Sequence, residues 1–436
     1  MKKTLLASVL VMFGAGANHA LAQSVAPENA TTREAPSEAL TAPLDLISAD
    51  DTALYNGFTP LGDPVDEVDN PPVPSRSFRD NKFIFEESET VEDGLGPTYN
   101  ARGCVECHQN PGTGAGSQIV EVRAGHRSRS GAFVEAPGGS LIHSRATAAS
   151  VQETVPDREN IRAFRTSLNI LGDGYVECIS NSTLLALRDA QPRGQRGSAI
   201  NVPVVEADGA LRIGRFGWKN QHASLHSFSG DAYLNEMGIT SPFQSVEAFR
   251  DPAAIVENTS LGRSVAAFDF VPEPEDDGED VGAFAGFMRA TRAPGRGPIT
   301  GAVRDGERVF NRIGCAVCHT PTIVTAPAGT VINGGTFTVP PELGNKIIHP
   351  FSDFLMHDIG TGDGIVQNGA AGSANQMRTA PLWGLRTHDR FMHDALSLTL
   401  SDAIARHDGQ AAASRGAFNA LSNRDTDNLL AFLRSL

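Results

Sequence analysis

The last fifteen residues of the chain have the apolar spacing of an amphipathic helix. One helical face collects five apolar residues, which are Leu429, Leu430, Phe432, Leu433 and Leu436. Ser422 and Asp425 both precede this run, and their separation of three residues is the spacing of an N-terminal cap. The pattern predicts a C-terminal helix.

A related pattern occurs near the middle of the chain. The segment Gly286-Phe-Met-Arg-Ala-Thr291 parallels the C-terminal Ala431-Phe-Leu-Arg-Ser-Leu436, and Phe284, Phe287 and Met288 share a helical face. A further helix is predicted through Gly306–Phe310, and short strands are predicted at 118–123 and 200–205. The chain therefore contains a diverged two-fold repeat and is predicted to be mainly α, with loop-rich insertions and a few short strands.

Each half of this repeat carries one Cys-x-x-Cys-His motif. Cys104, Cys107 and His108 form the first, and Cys315, Cys318 and His319 form the second. This spacing is the attachment signature of c-type haem, in which two thiols bind the vinyl groups and the imidazole binds iron. The alternatives are a redox Cys-x-x-Cys pair or half of a zinc site, but the adjacent histidine in both copies favours two covalent haems.

An aromatic residue stands five positions before the first cysteine of each motif. These residues are Tyr99 and Phe310. We expect them to occupy equivalent places in two cytochrome c-like haem domains.

The net charge indicates which class of partner is excluded, and the N-terminal residues indicate the cellular compartment. The 436 residues carry a formal net charge of −15, which argues against nucleic acid as a partner. Met1-Lys2-Lys3, a short apolar run and Ala20-Leu21-Ala22 together predict a secretory signal peptide cleaved near Ala22. The sequence predicts no membrane span, and the mature protein is expected in the periplasm.

The predicted organisation has four parts. Residues 1–22 are the signal peptide, 23–80 an extended N-terminal arm, 81–293 the first haem domain with an insertion, and 300–436 the second haem domain. The Pro-rich and Gly-rich stretch 293–298 is the predicted linker.

Several segments around the motifs carry a family resemblance. They are Gly214-Arg-Phe-Gly-Trp-Lys219, Glu236-Met-Gly-Ile-Thr-Ser-Pro242, Leu355-Met-His-Asp-Ile-Gly360, Arg378-Thr-Ala-Pro-Leu-Trp-Gly384 and Phe391-Met-His-Asp394. In combination, over about 80–436, the chain resembles the di-haem oxidoreductase family once called "thiol oxidoreductase", which is similar to bacterial di-haem cytochrome c peroxidases. The resemblance implies that electrons pass from a small redox protein or other donor, through the C-terminal haem, to a reactive N-terminal haem. Peroxide or another small oxidant is the implied acceptor.

The resemblance also implies roles around the second haem. His407 lies fourteen residues after His393, where relatives carry a methionine ligand, so we expect His407 to bind the second iron. The alternative is a surface histidine near a helix end. Trp218 occupies the place of a bridging tryptophan that relays electrons, with Trp383 as the second choice and an ordinary core role as the competing interpretation of both.

Around the first haem the alternatives are wider. Glu236 stands where the peroxidases have a distal acid, although a surface carboxylate or a structural ion pair is also possible on sequence alone. Met237 could bind the first iron and close that site. His126, eighteen residues after His108, matches a displaceable distal histidine, or lies in an ordinary loop.

Two further expectations concern calcium and a competing function. Related peroxidases hold a calcium ion between domains, and Asp358 and Asp363 could contribute to such a site here.

The competing function is a pure electron-transfer cytochrome in which both irons are six-coordinate, a state that Met237, His126 and His407 together would permit.

Overall fold

The structure is a computed structural model, and it describes residues 78–246, 250, 262, 265–368 and 371–436. Its described residues contain nine α-helices: α1 (Phe78–Glu86), α2 (Asp173–Glu177), α3 (Asn181–Ala190), α4 (Leu225–Ala232), α5 (Glu279–Ala290), α6 (Gly301–Arg312), α7 (Leu400–Ala405), α8 (Ala412–Asn419) and α9 (Asn423–Leu433). The predicted signal peptide, and the predicted arm up to residue 77, lie outside the described residues. In the part of the chain that is described, no helix combines the length and apolar character needed to cross a membrane.

The strands are short and form small antiparallel units. Those of the first half are β1 (Thr98–Tyr99), β2 (Val120–Arg127), β3 (Phe133–Glu135), β4 (Leu141–Ile142), β5 (Arg145–Ala146), β6 (Ile161–Thr166), β7 (Asn201–Val204) and β8 (Ala210–Ile213). Those of the second half are β9 (Ile323–Val324), β10 (Val331–Ile332), β11 (Phe337–Thr338), β12 (Ile347–Ile348), β13 (Met356–His357) and β14 (Met377–Arg378). Two-stranded pairs join β1 with β5, β7 with β8, β9 with β12, β10 with β11 and β13 with β14.

The largest sheet is built around β2. Strand β6 pairs with β2 over Val120–Gly125, and β4 and β3 pair with successive parts of β2. Because side chains alternate along a strand, Val122 and Ala124 point to one face, where they join a small apolar cluster. Glu121 and Arg123 therefore point to the opposite face.

Each half of the described chain contains one close helix–helix crossing. Helix α1 meets α5 through Phe85 and Phe287, whose ring centroids are 4.5 Å apart. Helix α6 meets α9 through Phe310 and Phe432, at 5.2 Å. The second crossing is close because Gly306 lacks a side chain: a Cβ there would lie 1.9 Å from the carbonyl oxygen of Asn428.

The predicted elements are confirmed where they are described. The C-terminal helix is α9, and the Ser422 hydroxyl accepts a hydrogen bond from the Asp425 amide at 3.2 Å. Helix α6 contains the predicted helical segment 306–310, α5 overlaps the segment 286–291, and β2 and β7 overlap the predicted strands.

Apolar packing is divided between two main cores. The smaller core lies between α6 and α9 and includes Phe310 and Phe432. The larger core surrounds α1 and α5, and it also draws Ile323, Phe354 and Trp383 from the second predicted domain. Domain limits at 81–293 and 300–436 remain predictions.

Candidate functional site

Both Cys-x-x-Cys-His motifs fold into the same tight turn. Each begins with a 3₁₀ turn, Cys104–Glu106 in the first and Cys315–Val317 in the second. The His108 amide donates to the Cys104 carbonyl at 2.9 Å, and the His319 amide donates to the Cys315 carbonyl at 3.0 Å. One turn thus presents two sulfurs and an imidazole together, as covalent haem attachment requires.

The imidazoles of both motifs are held in the form that binds metal. Nδ1 of His108 lies 3.3 Å from the Ala115 carbonyl oxygen, and Nδ1 of His319 lies 3.0 Å from that of Phe351. A carbonyl partner at Nδ1 leaves the Nε2 lone pair available. Burial lowers the pKa of each imidazole to about 4, so both rings are neutral near pH 7.

A phenylalanine packs against each of these imidazoles. The ring centroids of Phe85 and His108 are 6.4 Å apart with an interplanar angle of 55°, and those of Phe310 and His319 are 6.3 Å apart, also at 55°. The expectation that Tyr99 matches Phe310 is therefore wrong. Helix α1 ends at Glu86, well before Cys104, and the intervening segment places Tyr99 in β1.

The second motif opens onto a cavity of about 240 Å³. His407 faces His319 across it, with ring centroids 6.5 Å apart, and Nδ1 of His407 lies 2.8 Å from the Ala403 carbonyl oxygen. Two metal–nitrogen bonds of about 2.0 Å each, added to the half-widths of two imidazole rings, give roughly this separation. The donor set therefore fits a six-coordinate haem iron between His319 and His407.

A buried donor in the same cavity also fits the porphyrin. Trp383 is 2 % exposed and lines the cavity, and its Nε1 has no hydrogen-bond partner among the described residues. An unsatisfied buried N–H is costly. A haem carboxylate is an acceptor that would satisfy it.

Glu236 lies beside the first motif. It belongs to the π-helical turn Tyr233–Met237, and its carboxylate accepts a hydrogen bond from Nδ2 of Asn100 at 3.0 Å. Burial raises the pKa of the Cys107 thiol to about 12, and the charge of Glu236 adds to that increase. The predicted acid is thus brought close to a haem-attachment cysteine.

Sequence reasoning did not identify the partner of Glu236. The carboxyl of Glu121 hydrogen-bonds to that of Glu236, and Nε of Arg123 lies 2.7 Å from Oε1 of Glu121. Burial, then the adjacent Glu121, raises the pKa of Glu236 well above its usual range, whereas Arg123 lowers that of Glu121. The i, i+2 spacing of a charged pair on a predicted strand is the signal that could have revealed this shared face.

The other two candidates at the first motif lie in different surroundings. His126 is on the β2 face opposite Glu121, and its Nδ1 lies 2.8 Å from Oε2 of the buried Glu159. Met237 is 3 % exposed and packs in the larger core. The structure does not bring His126 together with Glu236, and metal binding by His126 or Met237 stays a prediction.

Trp218 lies between the two motifs. Its Nε1 donates to the Thr166 carbonyl at 2.7 Å, and its ring lines the cavity that contains His319. The two residues that follow Thr166 contact the first motif. Ser167 hydrogen-bonds to Cys107, and the Leu168 backbone hydrogen-bonds to His108. Residues 166–168 therefore contact the first motif and line the cavity at the second.

A buried ion cluster fixes the neighbours of this contact. Asp363 accepts a hydrogen bond from Nε of Arg165 at 2.8 Å and forms an ion pair with Nζ of Lys219 at 2.9 Å, and all three side chains are at most 2 % exposed. Arg165 precedes Thr166, and Lys219 follows Trp218, so this cluster fixes both ends of the Trp218 hydrogen bond. Because its carboxylate is already neutralised by two cations, Asp363 does not fit calcium, and the predicted calcium ion stays without an assigned site.

Comparison with known proteins identifies the family of this chain. The family model described as "Di-haem oxidoreductase, putative peroxidase" matches residues 139–436, which include the second Cys-x-x-Cys-His motif and not the first. None of the curated proteins matches the chain.

Solved structures give more distant matches. Hydrazine synthase of Kuenenia stuttgartiensis is 14% identical, with a TM-score of 0.38, over 95% of this chain and 99% of that one. The diheme peroxidase BthA of Burkholderia thailandensis is 18% identical, with a TM-score of 0.30, over 59% and 77%. A MauG-like protein associated with microbial copper homeostasis is 14% identical, with a TM-score of 0.38, over 88% and 95%. Likenesses at these scores carry no argument about the activity of this chain.

Proposed function

Because this chain belongs to the di-haem oxidoreductase family, we propose that it is a periplasmic c-type di-haem oxidoreductase with peroxidase-like activity. Electrons from a small redox protein or other donor enter at the second motif. At the first motif they reduce peroxide or another small oxidant. The observation that carries this proposal is the contrast between the motifs. His319 faces a second imidazole, whereas a carboxyl pair accompanies the first motif.

The second motif supports an electron-transfer role. His319 and His407 each have Nδ1 bonded to a backbone carbonyl, so the Nε2 lone pair of each ring is available to hold a haem iron. If both imidazoles held the haem iron, they would leave no coordination position for an oxidant. Electron entry without bond chemistry is the function that such a closed site supports.

The first motif supports proton transfer. Haem supplies a redox-active iron when it is bound, and this chain supplies proton-donating and proton-accepting carboxyl groups beside the motif. Burial and then the adjacent Glu121 raise the pKa of Glu236 well above its usual range, which favours its protonated form, and Nδ2 of Asn100 orients its carboxyl. A positioned carboxylic acid can give its proton to an oxygen of a peroxide, which assists O–O cleavage.

Trp218 supports electron passage between the motifs. Its indole N–H is bonded to Thr166, and the segment that begins there reaches His108 and Cys107. The buried Asp363 cluster holds both partners of that hydrogen bond in place.

Electron paramagnetic resonance of the holoprotein tests the proposal. We would record spectra of the fully oxidised and half-reduced protein, with and without hydrogen peroxide. The expected result is one low-spin iron that ignores peroxide and one iron whose signal peroxide changes. Two low-spin irons that are unchanged by peroxide in both redox states would overturn the enzyme and establish an electron-transfer cytochrome.

A further inference from the structure

Tyr233 presents a buried phenol to two carboxylates. Its side chain is 2 % exposed, and its hydroxyl donates to Oε1 of Glu89 at 3.0 Å. The second carboxylate, from Asp280 in α5, lies 3.4 Å from the same hydroxyl. Glu89 is itself only 6 % exposed. The proton of this phenol therefore has one well-placed acceptor and little access to water.

A continuous row of aromatic rings connects this phenol to the first motif. The ring centroids of Tyr233 and Phe284 are 5.0 Å apart, those of Phe284 and Phe85 are 6.1 Å apart, and those of Phe85 and His108 are 6.4 Å apart. Each separation lies in the range in which aromatic rings interact. Glu89 approaches the same motif, since its charge acts on the Cys104 thiol. The phenol and its proton acceptor thus both adjoin the first motif.

The corresponding row at the second motif ends differently. There, Phe310 packs against His319 and against the rings of Phe351 and Phe432. No tyrosine occurs between residues 294 and 436. Packing around a proximal imidazole therefore needs no phenolic hydroxyl, and the Tyr233–Glu89 pair is a feature of the first motif.

We propose that Tyr233 is a redox-active tyrosine that supplies one electron to the first motif while its proton moves to Glu89. The phenolic O–H bond breaks, the proton forms a carboxylic acid on Glu89, and the electron passes along Phe284 and Phe85 toward His108. A neutral tyrosyl radical remains. This inference rests on the proposed function, because a peroxide is the terminal oxidant.

Reduction of hydrogen peroxide to two water molecules consumes two electrons and two protons, and solvent supplies both protons, one of them through Glu236. Tyr233 provides one electron when the external donor has delivered only one, and Glu89 retains the phenolic proton. When the donor supplies the second electron, the radical is reduced and Glu89 returns the proton. Tyr233 thus stores one oxidising equivalent within the protein.

Rapid freeze-quenching after addition of hydrogen peroxide to the one-electron-reduced holoprotein tests this role. Haem absorption and electron paramagnetic resonance would be recorded on the same samples. Protein grown with ring-deuterated tyrosine should give a narrower radical signal than unlabelled protein. Tyr233→Phe, which keeps the ring and removes only the hydroxyl, should abolish the signal. Tyr175→Phe is the matched control, because Tyr175 packs against the same core, and its signal should match that of the wild type.

The proton acceptor has its own test. Glu89→Gln keeps the shape of the side chain but removes the base, so radical formation should slow by roughly 100-fold, the lower range for a positioned proton acceptor. A purely structural role for Glu89 would leave this rate unchanged in protein that retains both haems.

The outcomes separate the two proposals. If peroxide changes the haem absorption but no deuterium-sensitive radical forms, or if Tyr233→Phe retains it, Tyr233 is a structural residue and the proposed function stands. If peroxide leaves the haem absorption unchanged, the proposed function is wrong, and the redox role of Tyr233 is wrong with it.

Discussion

At the first motif, His108 packs against Phe85 at 6.4 Å, and at the second motif His319 packs against Phe310 at 6.3 Å, with the same 55° tilt. Each imidazole also bonds through Nδ1 to a backbone carbonyl. The opposing groups differ, because His319 faces His407, whereas Glu236 is the functional group close to Cys107. The same turn therefore lies in two different chemical surroundings, which are set by residues from distant segments.

The aromatic packing differs in the same way. The row that starts at Phe85 ends at a phenol bonded to Glu89, whereas Phe310 packs, apart from His319, against the rings of Phe351 and Phe432. A phenol with a base can lose a proton and an electron together, which a phenylalanine cannot do. The first motif thus has both an acid, Glu236, and a reducing side chain, Tyr233.

Replacing His407 by methionine should give the largest effect. A thioether in place of imidazole raises the midpoint potential of the second haem, by about 0.2 V, a quarter of the roughly 0.8 V range that axial ligands span. Potentiometric titration followed by absorption measures this shift. His388→Gln is the control, since His388 lines the same cavity and should leave the potential near the wild-type value. An unchanged potential in His407→Met would mean that His407 is not a ligand.

Glu236→Gln tests the reactive motif. Loss of the positioned acid should lower the rate of peroxide turnover by about 100-fold, while attachment of both haems is retained. Steady-state oxidation of a reduced donor measures the rate. Glu106→Gln is the matched control, because Glu106 lies inside the same motif but pairs with Arg145 at the surface. Equal turnover in both variants would remove Glu236 from the reaction.

The yield of the Tyr233 radical should depend on pH. Burial raises the pKa of Glu89 to about 7, so Glu89 is protonated below that value and cannot accept a proton. The radical yield should therefore rise roughly tenfold between about pH 6 and pH 8. The groups that act on Glu89 are Tyr233, Asp280, Glu87, Asp93 and Cys104, and Arg102 donates to its backbone carbonyl.

Glu89→Gln separates this effect from titration at other groups. Freeze-quenched samples across the pH series should show a low, pH-independent yield in this variant. A pH dependence that persists in Glu89→Gln would assign the titration to another group.

Trp218→Phe should give the smallest of these effects. Loss of the hydrogen bond to Thr166 should lower the free energy of unfolding by about 1 kcal/mol and slow the electron transfer between the motifs. Urea unfolding and stopped-flow absorption measure the two quantities. Trp383→Phe is the comparison variant, because Trp383 is the alternative relay and its Nε1 has no hydrogen-bond partner among the described residues. If both variants transfer electrons at the wild-type rate, neither tryptophan is the relay.

Local patterns predicted much of this protein. The paired motifs predicted the two attachment turns, and helical periodicity with Ser422 and Asp425 predicted α9. These features depend on residues within a few positions of one another, so the local chain carries the information. The facing pair of His319 and His407 also followed, although only through the spacing from His393 in a family resemblance.

The pairings across long sequence distances came only from the tertiary structure. Phe85 takes the place expected for Tyr99, because an inserted segment separates α1 from the first motif. Glu121 reaches Glu236 because β2 turns one face toward the π-helical turn, and Glu89 reaches Tyr233 across 144 positions. The sequence by itself determined where the two Cys-x-x-Cys-His turns form and predicted helices α5, α6 and α9. Tertiary packing decided which charged and aromatic side chains share each site, because such contacts depend on how whole elements cross.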